Sequence, residues 1–228
     1  MAETPDVSSE LSRLREQLEE ETIKEEGKTI FKTTLKVDGV TNVYQKVMHD
    51  WGGMIGMTWA ARNPHRIARL VLLNTAAFHL PKTKKLPPSL WVCRNTPLDA
   101  LLIRKTGLFV RLVARWGVAT RQLSPVERDA YLAPSTAKAS RLAQLRFVQD
   151  IPLTPDHPTH ALVTEVQGKL AQFARTPTLI CWGAKDWVFD DHFLTEWKRI
   201  LPQAEVHRFP DASHLVLEDK PDEILALV

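Results

Sequence analysis

One acidic side chain occupies a position where the sequence pattern favours a covalent nucleophile. Asp50 follows an apolar, β-prone run over residues 43–48 and precedes Gly52, Gly53 and a helical pattern over residues 54–63. A strand, a sharp turn with small residues and a helix form a nucleophile elbow, in which glycine lets two stretches of backbone approach closely. A carboxylate at such a turn can attack a saturated carbon and form an ester. The pattern therefore predicts Asp50 as a nucleophile.

The carboxylate of Asp50 also has a structural alternative. Aspartate is a frequent N-cap residue, because its side chain accepts a hydrogen bond from the free N–H groups at the start of a helix. The same N–H groups and the helix dipole would hold a nucleophilic carboxylate ionised. The elbow pattern alone leaves both interpretations open.

Two further polar residues follow apolar runs that are typical of strands. Asp186 comes after the run at residues 178–182, and His214 comes after the alternating run at residues 204–209. In open α/β sheets ligands bind at the carboxyl ends of the strands, where the order nucleophile, acid, histidine is one known arrangement. Each residue alone fits an ordinary turn. Their joint order predicts a triad in which His214 is the general base and Asp186 orients its ring.

The elements that would position this triad alternate between apolar runs and helical patterns. The continuous apolar run at residues 69–74 indicates a central parallel strand covered on both faces. Residues 192–201 and 215–228 are predicted helices. We expect an α/β protein with an open, mostly parallel sheet and an inserted helical cap.

The predicted core consists of residues 41–80 and 175–228, and the predicted cap of residues 81–174. Helical patterns rich in Leu and Arg run through the cap from Pro97 to Trp116 and from Pro125 to Ile151. Their apolar surface is wider than a single packing stripe. It fits either ordinary helix packing or a lid over an apolar pocket.

The N-terminal segment, residues 1–40, is acidic and does not continue this alternation. Residues 9–21 have apolar side chains at helical spacing, which fits a short amphipathic helix or a solvated arm. Residues 29–37 alternate weakly and are a predicted strand.

Composition limits the class of partner and the compartment. The formal net charge of +3 is too small to indicate a nucleic-acid partner. Cys93 and Cys181 lie in apolar runs without metal-ligand spacing, which predicts buried free thiols in a reducing compartment. The chain opens without a signal-peptide pattern, and no apolar run approaches the roughly 20 residues that span a bilayer. We therefore expect a soluble, cytoplasmic protein with no membrane span, metal or cofactor.

Several motifs carry a resemblance to a known family. Residues 49–53 read His-Asp-Trp-Gly-Gly, residues 183–189 read Gly-Ala-Lys-Asp-Trp-Val-Phe, and residues 211–214 read Asp-Ala-Ser-His. In these motifs the chain resembles α/β-hydrolases of the haloalkane dehalogenase group. Residues 73–81 and 89–97 are similar to the β-lactone decarboxylases of bacterial olefin biosynthesis. The resemblance runs from about residue 41 to the end of the sequence.

The resemblance implies an α/β-hydrolase fold with Asp50 as nucleophile, Asp186 as acid and His214 as histidine. It implies that a cis-β-lactone with two alkyl chains is opened and loses carbon dioxide to leave a cis-olefin. The substrate would be small and hydrophobic, and a β-lactone synthetase of the same pathway would be a partner. The backbone N–H of Trp51 would be an oxyanion donor, and its indole would face the leaving group.

The sequence departs from the family before Asp50, where no His-Gly oxyanion segment occurs. Compared with the α/β-hydrolase fold that the resemblance implies, N-terminal strands are expected to be missing, and the chain is expected to be truncated or rearranged there. Three other functions stay open. A haloalkane dehalogenase would use Trp51 and either Trp91 or Trp116 as halide donors. An epoxide hydrolase would need two cap tyrosines, but the sequence has only Tyr44 and Tyr131. The last alternative is an inactive remnant of the fold.

Overall fold

The structure, a computed structural model, describes residues 18–25, 28–35, 44–96, 100–137 and 139–228. The chain divides into two units, Met1–Tyr44 and Gln45–Val228. In the first unit, strands β1 (Leu18–Glu25) and β2 (Lys28–Leu35) pair antiparallel. The predicted strand at residues 29–37 agrees with β2 over its described part. The helical interpretation of residues 9–21 is wrong for residues 18–21, which belong to β1, and residues 9–17 lie outside the described residues.

A second sheet carries the predicted strand ends. Its four described strands are β3 (Tyr44–Asp50), β4 (Ile67–Thr75), β5 (Thr178–Gly183) and β6 (Glu205–Phe209), and they lie in the order β3-β4-β5-β6. Strand β4 pairs parallel with β5, and β5 pairs parallel with β6. This arrangement confirms the predicted α/β architecture with a parallel sheet.

The middle of each of the two central strands is apolar because helices cover both faces of the sheet. Successive side chains on a strand point to opposite faces. On β4, Leu70 and Leu72 accordingly join one apolar cluster, whereas Val71 and Leu73 join another. All four are fully buried, as expected for a central strand of a parallel sheet.

The described α-helices follow the strands and fill the cap region. Between β3 and β6 they are α1 (Trp51–Arg62), α2 (Pro88–Asn95), α3 (Leu108–Trp116), α4 (Pro125–Leu132), α5 (Arg141–Gln149), α6 (His160–Lys169) and α7 (Asp191–Ile200). Short 3-10 helices occupy Pro64–Arg66, Ala133–Ser135 and Leu170–Phe173, and a π-helix occupies Ala100–Lys105. Helices α2 to α6 all lie between β4 and β5 in the chain, in the region predicted to be the cap.

The cap region has a small apolar cluster of its own. Its buried members are Leu90, Ile103, Leu145 and Val148, and Cys93 and Phe109 pack against them. Cys93 is only partly buried, whereas Cys181 is fully buried in the sheet, and neither residue belongs to a disulfide.

The C-terminal segment differs from its prediction as one helix over residues 215–228. It forms two short helices, α8 (Val216–Asp219) and α9 (Pro221–Leu225). Pro221 lacks a backbone N–H and restricts the residue before it, so the helix cannot continue through this position. Lys220 accordingly leaves the helical region of backbone space, with φ −137° and ψ 52°.

Candidate active site

The backbone at Asp50 has the strained geometry of a sharp turn. Asp50 stands between the end of β3 and the start of α1, with φ 48° and ψ −127°. A non-glycine residue in this region costs on the order of 1–3 kcal/mol and is characteristic of functional sites. Its side chain makes no capping hydrogen bond to α1. The N-cap alternative therefore lacks its defining contact.

The turn after Asp50 is possible only because a small residue faces β4. A Cβ atom added at Gly53 would lie 1.8 Å from the Thr75 hydroxyl oxygen, whereas one added at Gly52 would meet nothing within 4 Å. The Thr75 hydroxyl donates a hydrogen bond to the backbone carbonyl oxygen of Asp50. The Trp197 indole N–H in turn donates to the Thr75 carbonyl oxygen at 2.8 Å. The elbow is thus fixed to the end of β4.

Asp186 and His214 form a buried pair in the loops after β5 and β6. The Nδ1 atom of His214 lies 2.8 Å from Oδ2 of Asp186. The other carboxylate oxygen of Asp186 accepts hydrogen bonds from the backbone N–H groups of Val188 and Phe189, at 2.7 and 3.1 Å. These bonds orient the Asp186 carboxylate. Because Nδ1 of His214 is hydrogen-bonded to this carboxylate, Nε2 is the imidazole nitrogen available to a reacting molecule.

The charge of the His214 imidazole depends on its two carboxylate neighbours. Burial of the ring is the largest single effect and disfavours its protonated form, whereas the attraction of the Asp186 carboxylate favours that form. The attraction of Asp186, the hydrogen bond between Asp186 and His214, and a smaller attraction from Asp50 together outweigh burial. They raise the pKa of His214 to about 9. His214 is therefore protonated at neutral pH.

Asn74 fixes the loop that carries Asp186. Its backbone has φ 33°, which asparagine tolerates better than most residues. The buried side chain accepts a hydrogen bond from the Gly183 N–H at 2.7 Å and donates to the Gly183 and Phe189 carbonyl oxygens at 2.9 and 3.2 Å. Asn74 thus binds the main chain on both sides of Asp186.

His49 contacts the catalytic candidates from β3. Its Nε2 atom donates to the backbone carbonyl oxygen of His214 at 2.7 Å, and the two rings lie 4.9 Å apart. Burial, followed by repulsion from His214, lowers the pKa of His49. His49 is therefore a neutral donor in this position.

Asp50 and His214 open onto an apolar cavity of about 430 Å³. The core contributes Trp51, Met54 and Phe78, among others, and helices α2, α3 and α5 supply most of the remaining wall. The lining residues from these helices are Ser89, Leu90, Cys93, Leu108, Phe109, Val110, Leu112, Val113, Trp116, Gln144, Phe147 and Val148. The wide apolar surface predicted for the cap therefore lines a pocket over the candidate nucleophile.

The tryptophans predicted to contact the substrate are placed differently. Trp51 lines the cavity and stacks on Phe147 with ring centroids 5.3 Å apart. Trp116 also lines the cavity, although its side chain is partly exposed to solvent. Trp91 is 52% exposed and is not among the lining residues, because its position on α2 faces away from the cavity. The structure thus brings Trp51, but not Trp91, to Asp50 and His214.

Three residues near the site had no role in the sequence prediction. Asn74 could have been noticed as a polar residue that closes a buried apolar strand. His49 stands directly beside the predicted nucleophile in the chain. Asp219 is buried and accepts four hydrogen-bond donors, but nothing in its local sequence distinguishes it from the neighbouring charged residues.

Among the residues that the structure describes, no group of three or more His, Cys, Asp or Glu side chains is arranged to hold a metal ion. Within the same part of the chain, no helix has both the length and the apolar character needed to cross a bilayer.

Two curated proteins are similar to this chain in sequence. The decarboxylase of cis-3-alkyl-4-alkyloxetan-2-one from Shewanella oneidensis is 52% identical over 179 residues, which cover 78% of this chain and 56% of that protein. The enzyme of the same name from Xanthomonas campestris pv. campestris is 40% identical, over 83% of this chain and 63% of that protein. The chain thus spans less than two thirds of the length of these curated relatives.

Solved structures show the same fold at lower sequence identity. The crystal structure of haloalkane dehalogenase DatA from Agrobacterium tumefaciens C58 superposes with a TM-score of 0.70 at 20% identity, covering 82% of this chain and 65% of that one. The family described as the alpha/beta hydrolase fold matches residues 39–221, which is most of the chain. With the parallel sheet and the strand-end triad candidates in place, the chain belongs to the α/β-hydrolase fold family.

Proposed function

We propose that this chain carries the catalytic site of a β-lactone decarboxylase, which converts a cis-β-lactone with two alkyl chains to a cis-olefin and carbon dioxide. The observation that carries the proposal is the carboxylate elbow of Asp50, which opens with His214 onto an apolar cavity lined by the cap. The names of the relatives from Shewanella oneidensis and Xanthomonas campestris pv. campestris support the same substrate class.

The proposed reaction begins with attack by Asp50 on the ring carbon that carries the ring oxygen. The bond between these two ring atoms breaks, and its electron pair stays on the oxygen, which becomes part of a carboxylate. Asp50 is now an alkyl ester. The attack inverts the configuration at this carbon.

Loss of carbon dioxide completes the cycle without water. The bond between the carboxylate and the neighbouring ring carbon breaks, and its electron pair forms the carbon–carbon double bond. The bond to Asp50 breaks at the same time, so the side chain leaves as a carboxylate and is regenerated. Inversion followed by departure of the two groups from opposite faces converts a cis-lactone to a cis-olefin.

The residues around Asp50 have distinct roles in this proposal. Protonated His214 stabilises the negative charge that develops on the ring oxygen, and Asp186 stabilises the imidazolium. The Trp51 backbone N–H, at the start of α1, is a further donor to this oxygen. The apolar cavity binds the alkyl chains and excludes water, which would otherwise hydrolyse the ester.

The direct test is incubation with a synthetic cis-3,4-dialkyl-β-lactone, with the olefin measured by gas chromatography. Asp50→Asn keeps the size of the side chain but removes the charge that attacks carbon. Loss of a covalent nucleophile should reduce olefin formation on the order of a thousandfold or more, equivalent to several kcal/mol of barrier. Asp50→Ser should give at most the ring-opened hydroxy acid.

Asp129→Asn is the matched control, because it makes the same chemical change on an exposed part of α4 outside the cavity. It should retain wild-type olefin output. If Asp50→Asn formed olefin at the wild-type rate, the nucleophile assignment and the proposed reaction would both be wrong.

A second function is haloalkane dehalogenation, favoured by the presence of two indoles, Trp51 and Trp116, in the lining of the same cavity. Indole N–H groups can bind a leaving halide. Release of halide from 1-bromoalkanes by the wild-type chain, without olefin formation from the lactone, would select this alternative. A folded chain inactive on both substrates would support the remnant hypothesis.

A further inference from the structure

Asp219, at the end of α8, is a buried carboxylate with hydrogen bonds to two separate segments. It is 8% exposed. One oxygen accepts from the backbone N–H of Ser213 at 2.7 Å, and the other accepts from the N–H and hydroxyl of Thr120 at 2.7 and 2.6 Å. The Ala119 N–H contacts both oxygens, at 2.9 and 3.1 Å. All these donors need an acceptor, and an ionised carboxylate provides two without donating in return.

The two segments are functionally different. Ser213 directly precedes His214 in the loop after β6. Ala119 and Thr120 follow α3, the cap helix that contributes Phe109 and Trp116 to the cavity wall. One side chain therefore joins the loop of the proposed catalytic histidine to the cap.

A backbone contact strengthens the same junction. The N–H of Leu215, directly after His214, donates to the carbonyl oxygen of Gly117 at 2.7 Å. A Cβ atom at Gly117 would lie 2.5 Å from the Val113 carbonyl oxygen and 2.9 Å from Cγ of Leu215. The end of α3 and the His214 loop are therefore in direct contact, and the Leu215 side chain leaves no room for a side chain at Gly117.

We infer that Asp219 is a positioning residue, which sets the main chain of His214 and the cap helix α3 in one fixed relationship. It acts through Ser213 on the histidine and through Ala119 and Thr120 on the cap. This inference deepens the proposed function and rests on it where turnover is the measurement. The Asp219 carboxylate would therefore influence both the His214 imidazole and the shape of the cavity.

The test compares three variants with the wild-type chain. In Asp219→Asn, an N–H₂ group replaces one of the two carboxylate oxygens and faces N–H or O–H donors that this oxygen accepts from in the wild-type chain. Either Ser213 or Thr120 therefore loses its acceptor. We expect a decrease in kcat of tenfold or more and an increase in KM. Thr120→Val removes only the hydroxyl on the cap side and should raise KM with little change in kcat.

Glu218→Gln is the matched control, since Glu218 precedes Asp219 and its carboxylate binds Arg121 and Tyr131 of the cap rather than the His214 loop; the Glu218 backbone N–H, which donates to Leu215, is unchanged by the substitution. It should change neither constant. Equal kinetic effects of the Asp219 and Glu218 variants would overturn the inference in favour of a general contribution of acidic groups to stability.

A second measurement does not depend on turnover. NMR titration of the His214 imidazole reports its contact with Asp186, because Asp186, Asp50 and His49 are the titratable groups that face it. Asp219→Asn should lower the pKa of His214 towards its ordinary value, whereas Thr120→Val and Glu218→Gln should leave it unchanged. An unchanged His214 titration in folded Asp219→Asn would overturn the inference.

These measurements separate the two proposals. If the wild-type chain forms no olefin, the proposed function fails, and the His214 titration still decides the role of Asp219. If Asp219→Asn does not fold, Thr120→Val decides through the dissociation constant of an inert cis-3,4-dialkyl-β-lactam. Weaker binding of this analogue supports the link to the cap, and wild-type binding contradicts it.

Discussion

The Nε2 atom of His49 lies 2.7 Å from the backbone carbonyl oxygen of His214, so the residue beside the candidate nucleophile holds the main chain of the candidate catalytic histidine. The contact joins the ends of β3 and β6, which are the outer strands of the described four-stranded sheet. It positions His214 from the side of the elbow, whereas Asp186 orients its ring.

Replacement of His49 tests this contact. His49→Leu leaves a buried carbonyl oxygen without its donor, which costs about 1–3 kcal/mol. We expect lower stability and a reduction in kcat of roughly tenfold. His49→Gln retains an N–H donor of similar reach and should recover most of both quantities, measured by urea unfolding and olefin formation. Equal losses in the two variants would show that the ring itself, rather than its donor, is required.

The raised pKa of His214 predicts a pH dependence of stability. The folded chain binds this proton more tightly than the unfolded chain, so the stabilisation is complete below the ordinary value of 6.5 and is lost as the pH rises through about 9. The free energy of unfolding of the wild-type chain, minus that of His214→Gln, should therefore fall by on the order of 3 kcal/mol between these limits.

Asp186→Asn is the control for this titration, since it removes the carboxylate that binds the imidazolium. In an Asp186→Asn background, the effect of His214→Gln should be nearly independent of pH over the same range. Urea unfolding at pH 6, 7.5 and 9.5 provides the comparison. If the free energy of unfolding of the wild-type chain, minus that of His214→Gln, grew as the pH rose, the assignment of a raised pKa to His214 would be wrong.

The two glycines after Asp50 should respond differently to the same substitution. Gly53→Ala places a methyl group against the Thr75 side chain and should destabilise the chain by about 1–3 kcal/mol. Gly52→Ala meets open space in a helix and should be neutral or stabilising by up to about 1 kcal/mol. Thermal unfolding compares them directly, and similar values for the two variants would contradict the close approach of β4 to the elbow.

The cap tryptophans provide a matched pair for substrate binding. Trp116 lines the cavity although it is 57% exposed, whereas Trp91 is similarly exposed outside it. Trp116→Ala should raise KM for a dialkyl β-lactone about tenfold, equivalent to the loss of about 1.4 kcal/mol of binding, with little change in kcat. Trp91→Ala should leave both constants near the wild-type values. A larger increase in KM for Trp91→Ala than for Trp116→Ala would indicate that the alkyl chains bind over α2 instead.

The sheet and its strand-end residues were predictable because their signals are local. The apolar runs before Asn74 and Gly183 are long enough to identify buried strands, and polar residues directly after such runs lie at the binding edge. Positions of Asp50, Asp186 and His214 at this edge follow from the sequence order alone. The break at Pro221 was missed by the predicted helix over residues 215–228, although proline cannot continue a helix.

The contacts that hold the site were not predictable in the same way. Asn74 and Asp219 bind segments about a hundred residues away in sequence, and no local pattern specifies which loop a polar side chain will meet. The placement of Trp91 and Trp116 depends on how the cap helices rotate against one another. That rotation is determined by packing around Ile103 and Leu145, which periodicity does not reveal.

Asn74 and Thr75 are consecutive residues, and each holds a different part of the site. The Asn74 side chain binds the main chain around Asp186, and the Thr75 hydroxyl binds the carbonyl of Asp50. A single planar peptide unit therefore acts as the spacer between nucleophile and acid. This peptide unit belongs to the central strand β4 and not to the cap. Substitutions in the cap can therefore reshape the cavity for longer or bulkier alkyl chains without changing the separation of the Asp50 and Asp186 carboxylates.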